Sequence, residues 1–381
     1  MMMLLDAVSE TLPNLPSLPI APADPLGLPA PEWLLEFLLI LTFILHVIPM
    51  NLVLGGGFVC AYAARKAHVL KAAGRGGEAK DYATLATKVS KMLPVATAAA
   101  ITLGVAPLLF VQLLYGHMFF SASILMGWWW FGVVWLLLIG YVGYYRMADR
   151  FANDPKKAAG LAFFVSLVFA LIAFIFVNNS TLSLRPELWR DMYSESRHGF
   201  HLNFLDPTLF PRYLHFLIGG SAIAGLIIAI AGKIREHYKP GSGGIMPELG
   251  LKLFTGATVL QFASGLWFLF ALPEAQKAAF MGESLFDTIV LWASVATAVA
   301  SIAVVQKRLL VGTLLILLTI VGMAIVRQRL RLMALPEGFT SGELNPQYTF
   351  MAIFFVMLVL GIGVVTWMVR MFWQASLKKP E

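Results

Sequence analysis

The chain has 381 residues, of which 59% are hydrophobic and 13% charged, with a formal net charge of +7. Soluble domains carry about a quarter charged residues, so this balance excludes an ordinary soluble fold. The positive charge is no nucleic-acid signature, because the basic residues fall in connections between apolar runs. The single cysteine, Cys60, excludes an internal disulfide and a covalent c-type haem, which needs Cys-x-x-Cys-His.

Residues 1–32 lack a basic leader and are rich in Pro, Leu and Ala. They read as an irregular segment on the outer membrane surface, with no convincing cleavable signal. The apolar runs then predict nine helical spans, near 33–63, 89–114, 122–145, 157–178, 208–233, 248–271, 284–305, 308–327 and 347–373. Only helices and closed barrels satisfy a backbone in lipid, and these runs far exceed the roughly ten alternating residues of a barrel strand. The expected fold is therefore all-α and polytopic, one membrane domain over 33–373 with a cytoplasmic tail at 374–381.

Basic residues set the expected orientation. The first connection carries Arg65, Lys66, Lys71, Arg75, Lys80, Lys88 and Lys91, and the third, fifth and seventh add more on the same side. That side is predicted to be cytoplasmic, with the N-terminus outside. The outer side has two substantial connections, from Asn178 to Pro211 and from Arg327 to Tyr348, polar enough to dock a partner. Trp128, Trp129 and Trp130 read as an interfacial belt, with a ring-flanking role as the alternative.

His46 lies about 20 Å along the first span at 1.5 Å per residue. Ionisable groups inside a bilayer are costly and mark function by default. Two readings stand: a histidine hydrogen-bonded to a neighbouring helix, or an axial ligand to a buried metal or haem. His215 lies within about two turns of the outer end of the fifth span. Arg212, one turn earlier, is placed either to pair with a haem propionate or to snorkel to the interface. His117 ends the second span, and His198 and His201 lie in the outer loop, a pair spaced for a metal but lacking a third ligand. His68 and His237 read as solvated. Walker, Rossmann, zincin and nucleophile-elbow motifs are absent.

Two stretches carry a resemblance. Thr42-Phe-Ile-Leu-His46-Val-Ile-Pro-Met-Asn-Leu-Val-Leu-Gly55 resembles the first helix of subunit I of the cytochrome bd quinol oxidases. Asp206-Pro-Thr-Leu-Phe-Pro-Arg-Tyr-Leu-His215 resembles the start of that family's fifth helix, where a histidine ligates haem b. Gly104-Val-Ala-Pro-Leu-Leu-Phe-Val-Gln112-Leu-Leu-Tyr-Gly116 looks like its second-helix motif, with Gln112 where a glutamate is usual.

The departures are as specific. The family's long quinol-binding loop is reduced here to Pro273–Ser284, and its third-helix glutamates are missing from Ser121–Gly140. The seventh span has no methionine to face His215, Met281 lying outside it. Gly322-Met-Ala-Ile-Val-Arg-Gln-Arg329 stands where the family has a glutamate haem ligand, with Arg327 or a neighbour at that position.

The resemblance implies a bd-like cytochrome b subunit of a prokaryotic inner membrane. It would hold one or two haems b at His46 and His215, with His117, His198 and His201 as further candidate ligands. Electrons would pass between the quinone pool and a periplasmic redox partner such as a c-type cytochrome. Quinone or quinol and the lipid bilayer are the other implied partners, and nucleic acid is not one. A terminal oxidase subunit and a haem-free membrane anchor or transporter are the alternatives. The missing glutamates count against the oxidase, which needs positioned proton carriers. A transporter would be expected to show matched broken helices, and no internal repeat is evident.

Overall fold

The computed structural model describes residues 27–153, 155–336, 339 and 345–377. Among them there is no β-strand, and nine helices are long and apolar enough to cross a membrane. The protein is an all-α, multi-pass membrane protein, as its apolar periodicity predicts.

In chain order the helices are α1 (Glu32–Ala72), α2 (Gly76–Ser90), α3 (Leu93–Leu125), α4 (Gly127–Asn153), α5 (Pro155–Leu182) and α6 (Pro186–Glu195). There follow α7 (Leu209–Tyr238), α8 (Met246–Ala271), the single turn α9 (Glu274–Ala278), α10 (Leu285–Val305), α11 (Leu309–Met333) and α12 (Tyr348–Leu377). Two helices run further than hydropathy suggests: α11 reaches Met333, so the expected outer connection from Arg327 begins as helix. α1 continues nine residues past the expected end, through Arg65, Lys66 and Lys71. Those cations sit on helix rather than in a loop, because a helix needs no apolar face once it leaves lipid. It also runs unbroken through Pro49 and through Gly55, Gly56 and Gly57.

The chain divides into two compact units, Leu39–Leu335 and the remainder. In the smaller unit the Gln347 amide donates to Leu28 O at 2.8 Å, beside an isolated parallel bridge from Leu28 to Pro346.

The larger unit contains α2 to α11 and α1 from Leu39 onward. Its sequence-adjacent helices pack as hairpins, α4 on α5, α7 on α8 and α10 on α11. Lipid is as apolar as leucine, so helices associate in it through close packing and hydrogen bonds rather than hydrophobic exclusion. Small residues supply the close packing. A Cβ on Gly225 would lie 2.7 Å from Gly250 O, and one on Gly250 would lie 2.5 Å from Gly225 O. The α7 and α8 backbones therefore touch. Gly55 of α1 approaches Gly220 O of α7 in the same way, at 2.6 Å.

The main core gathers side chains from α1 to α5 and α7 around Tyr144, Met126 and Leu93. Tyr144 is fully buried, stacks on Phe169 at 4.9 Å and donates to Val53 O at 2.6 Å. That bond answers the cost of a hydroxyl in apolar surroundings.

At the end of the bundle where α6 lies, a polar knot fixes the chain between α6 and α7. The Asn203 amide donates to Asn178 Oδ1 at 2.9 Å. Asp206 accepts from the Thr208 amide at 2.8 Å and from Arg185 at 3.0 Å, and it also receives the Thr208 hydroxyl. Asp206 thereby fixes the turn that leads into α7, whose N-cap residue is Thr208.

Candidate functional site

His46 projects from α1 against α3. Its Nδ1 lies 2.8 Å from Ala100 O. A carbonyl only accepts, so Nδ1 carries the proton and the neutral ring presents a lone pair at Nε2. Among the described residues Nε2 has no hydrogen-bond partner. The ring lies flat on α3 because residue 104 is glycine: a Cβ there would sit 2.8 Å from His46 Cε1 and 2.9 Å from Nδ1.

His215, on α7, repeats this arrangement against α8. Its Nδ1 lies 3.1 Å from Ser264 Oγ. The Ser264 hydroxyl proton goes to Gln261, whose backbone O is at 3.1 Å and side-chain Oε1 at 3.2 Å. With that proton on Gln261, Ser264 accepts from Nδ1–H in the tautomer that leaves the Nε2 lone pair without a partner among the described residues. The ring again lies over a glycine, with a Cβ on Gly265 falling 3.2 Å from His215 Cε1. Two histidines on different helices are thus each held at Nδ1 by an oxygen of the facing helix, and each ring lies against a glycine.

A cavity of about 140 Å³ adjoins His46, reaching from Gly104 and Pro107 at the middle of α3 to Ser180, Ser183 and Arg331 at the α6 end. Its walls are aromatic: Phe43, Tyr115, Phe119, Trp130 and Phe176. Two arginines enter it, because residues four apart share a helix face. Arg327 stacks over the Phe43 ring at 4.4 Å and makes no ion pair among the described residues. Arg331 lies over Tyr115 at 5.1 Å and donates to Gln328 Oε1 at 2.8 Å, while Gln328 donates to the Tyr115 hydroxyl at 2.7 Å. α3 is kinked at Tyr115, which has non-helical backbone angles. Arg329 points the other way and forms a bidentate pair with buried Asp287 of α10, at 2.6 and 3.1 Å. The alternation of arginines along α11 therefore separates a site face from a structural face.

The other candidate residues fall in different places. Arg212 sits one turn before His215 as expected, over Phe268 at 5.0 Å, and its buried Nε has no hydrogen-bond partner among the described residues. His117 and His198 are exposed and line neither this cavity nor the His215 contacts. His201 is occupied within its own loop, with Nε2 2.7 Å from Ser196 O. No group of three metal-binding side chains occurs among the described residues. The tryptophan cluster divides: Trp128 is exposed as a belt residue should be, while Trp130 turns inward onto Phe176 and Phe119. Ala100, Gly104, Ser264 and Gly265 were not apparent as site residues from sequence, since each acts on a histidine some fifty positions away.

Chemically the arrangement offers two imidazoles on membrane-spanning helices, cationic donors at the α6 end and a largely aromatic lining around His46. It holds no carboxylate among its lining residues. No known family's model matches the chain, and no curated protein matches its sequence.

Proposed function

We propose that this chain is a haem b-carrying electron-transfer subunit, related to subunit I of the cytochrome bd oxidases and seated in a prokaryotic inner membrane. The observation that carries the reading is the pair of intramembrane histidines whose Nδ1 atoms are tethered to Ala100 O and Ser264 Oγ, which leaves Nε2 of each ring available as a ligand atom. Metal-ligating histidines characteristically donate their second N–H in this way, which fixes the ring and raises its basicity.

The donor set fits haem b. Imidazole Nε2 is an axial ligand for haem iron, and buried guanidiniums suit its propionates. Arg212, Arg327 and Arg331 are the groups for that role. The volume fits less well. About 140 Å³ beside His46 is below the roughly 300–1,000 Å³ of sites for larger ligands, so a haem there requires the walls to part.

When bound, the group supplies one-electron redox chemistry. The chain's part is to hold the iron at His46 and His215, to aim both rings through Ala100 and Ser264, and to keep water out with Phe43, Phe119 and Trp130. In this reading the α6 end faces outward, because the opposite end carries the basic excess. Quinone or quinol exchanges electrons with the subunit, and a c-type cytochrome or similar protein meets it on the outer side.

The test is a reduced-minus-oxidised spectrum of the purified full chain, with haem extraction. A b-type α-band, diminished by His215→Ala, is expected. A chain purified from haem-replete cells with no α-band and no extractable haem overturns the proposal and favours a haem-free scaffold, which the small cavity would suit.

A further inference from the structure

The connection between α6 and α7 reads in the sequence as a polar docking surface, yet the structure gives it an apolar outer edge. Leu205 is 98% exposed, and Phe200, Phe204 and Phe210 each expose about half of their surface. From Gly199 to Leu205 the chain carries no carboxylate, lysine or arginine.

This edge is held firmly at both ends. On one side the Trp128 amide donates to Gly199 O at 3.0 Å, His201 N to Leu125 O at 3.1 Å and Trp129 Nε1 to Phe200 O at 3.1 Å. Phe200 then stacks on Trp128 at 5.9 Å. On the other side Asn203 and Asp206 are buried in the polar knot, so the residues between them, Phe204 and Leu205, can only point away from it. Phe204 also joins Phe174 and Phe210 at 5.8 and 6.3 Å.

The depth of this edge follows from the spans it adjoins. Trp128 is the second residue of α4 and Phe210 the second of α7, and both helices are long and apolar enough to span the membrane. Leu205 lies four residues before α7 starts. The exposed apolar edge is therefore continuous with the lipid-facing aromatic band of the bundle, at the level where amphipathic rings settle among headgroups. A rigid apolar edge at that level, without charge, is suited to lipid and ill suited to water.

We infer that Phe200, Phe204 and Leu205 form an interfacial anchor that inserts into the lipid leaflet on the α6 side. The loop is then a membrane-seated platform, and only α6, with Glu187, Arg190 and Asp191 exposed, remains in water above it. This inference is independent of whether the chain carries haem.

Site-directed spin labelling tests it on the full chain in lipid nanodiscs. The native Cys60 is fully buried, so labels can be directed to Leu205→Cys and, as a control, Asp191→Cys. Leu205 is almost wholly exposed, so its replacement leaves the packing intact. Oxygen concentrates in lipid, and a nickel chelate stays in water. The expected result is a ratio of oxygen to nickel collisions above one at position 205 and below one at position 191. Free access of the nickel chelate to position 205 overturns the inference. Low access of both reagents at 205 also overturns it, and assigns the edge to a protein partner.

Discussion

Gly104→Ala probes the seat of His46 with a single methyl group. A Cβ at 2.8 Å from the ring must retreat to about 3.4 Å, where ordinary van der Waals contact begins, a shift of about 0.6 Å. The same shift stretches the 2.8 Å bond from Nδ1 to Ala100 O to the limit of a hydrogen bond. Overpacking costs about 1–3 kcal/mol and a weakened hydrogen bond about 0.5–1.5 kcal/mol. The intrinsic helical preference of alanine returns at most about 1 kcal/mol. The variant is therefore expected to lose about 1–3 kcal/mol of stability. Gly256→Ala on α8 is the matched control, since a Cβ there meets nothing within 4 Å, and it should be neutral or slightly stabilising. Both variants are compared by denaturant titration in mixed micelles. A Gly104→Ala protein as stable as Gly256→Ala would refute the proposed contact between the ring and α3.

Other substitutions examine the remaining contacts. Ser264→Ala removes the hydrogen-bond partner of His215 Nδ1 and should cost about 1–3 kcal/mol, whereas Ser264→Thr, which keeps the hydroxyl, should restore most of it in the same titration. Asp287→Asn breaks the bidentate pair with Arg329; because that guanidinium is partly exposed, the expected loss is about 1–3 kcal/mol rather than that of a wholly buried pair, read as a lower unfolding midpoint. Tyr144→Phe leaves the bond to Val53 O unmade and should destabilise by about 1 kcal/mol, with no change in the ligand content of the purified protein. Gln328→Leu disconnects Tyr115 from Arg331 and should cost about 1–3 kcal/mol; unaltered stability would show the three groups to be independent.

The spans were legible because a bilayer imposes length and apolarity on each helix, and α8 and α10 begin and end close to where hydropathy places them. The extension of α1 to Ala72 was not legible, since nothing in a hydropathy pattern distinguishes a cationic helix in water from a cationic loop. His46 and His215 stood out by their cost in lipid. Their tethers did not, because Ala100 is apolar and contributes only a carbonyl, and Ser264 looks like any small residue in a packed helix. Gly104 was visible within a motif, but its meaning depends on the ring lying over it. Trp130 belongs to a run of three identical residues whose separation into lipid-facing and cavity-facing members is set by helix rotation. Arg327 and Arg331 share a face by their spacing of four, yet only the fold shows that His46 adjoins it.

The contact of α7 with α8 through Gly225 and Gly250 bears on how the protein is made. A helical hairpin with a short connection and touching backbones can enter the bilayer as one body during synthesis. His215, Ser264, Gln261 and Gly265 all lie on that hairpin. The tether of His215 therefore needs no residue of α10 or α11. His46 can find Ala100 and Gly104 sooner, when α3 emerges, but the arginines that share its cavity arrive only with α11. Along the chain, both imidazoles and their tethers therefore precede the cationic wall beside His46, which α11 alone supplies.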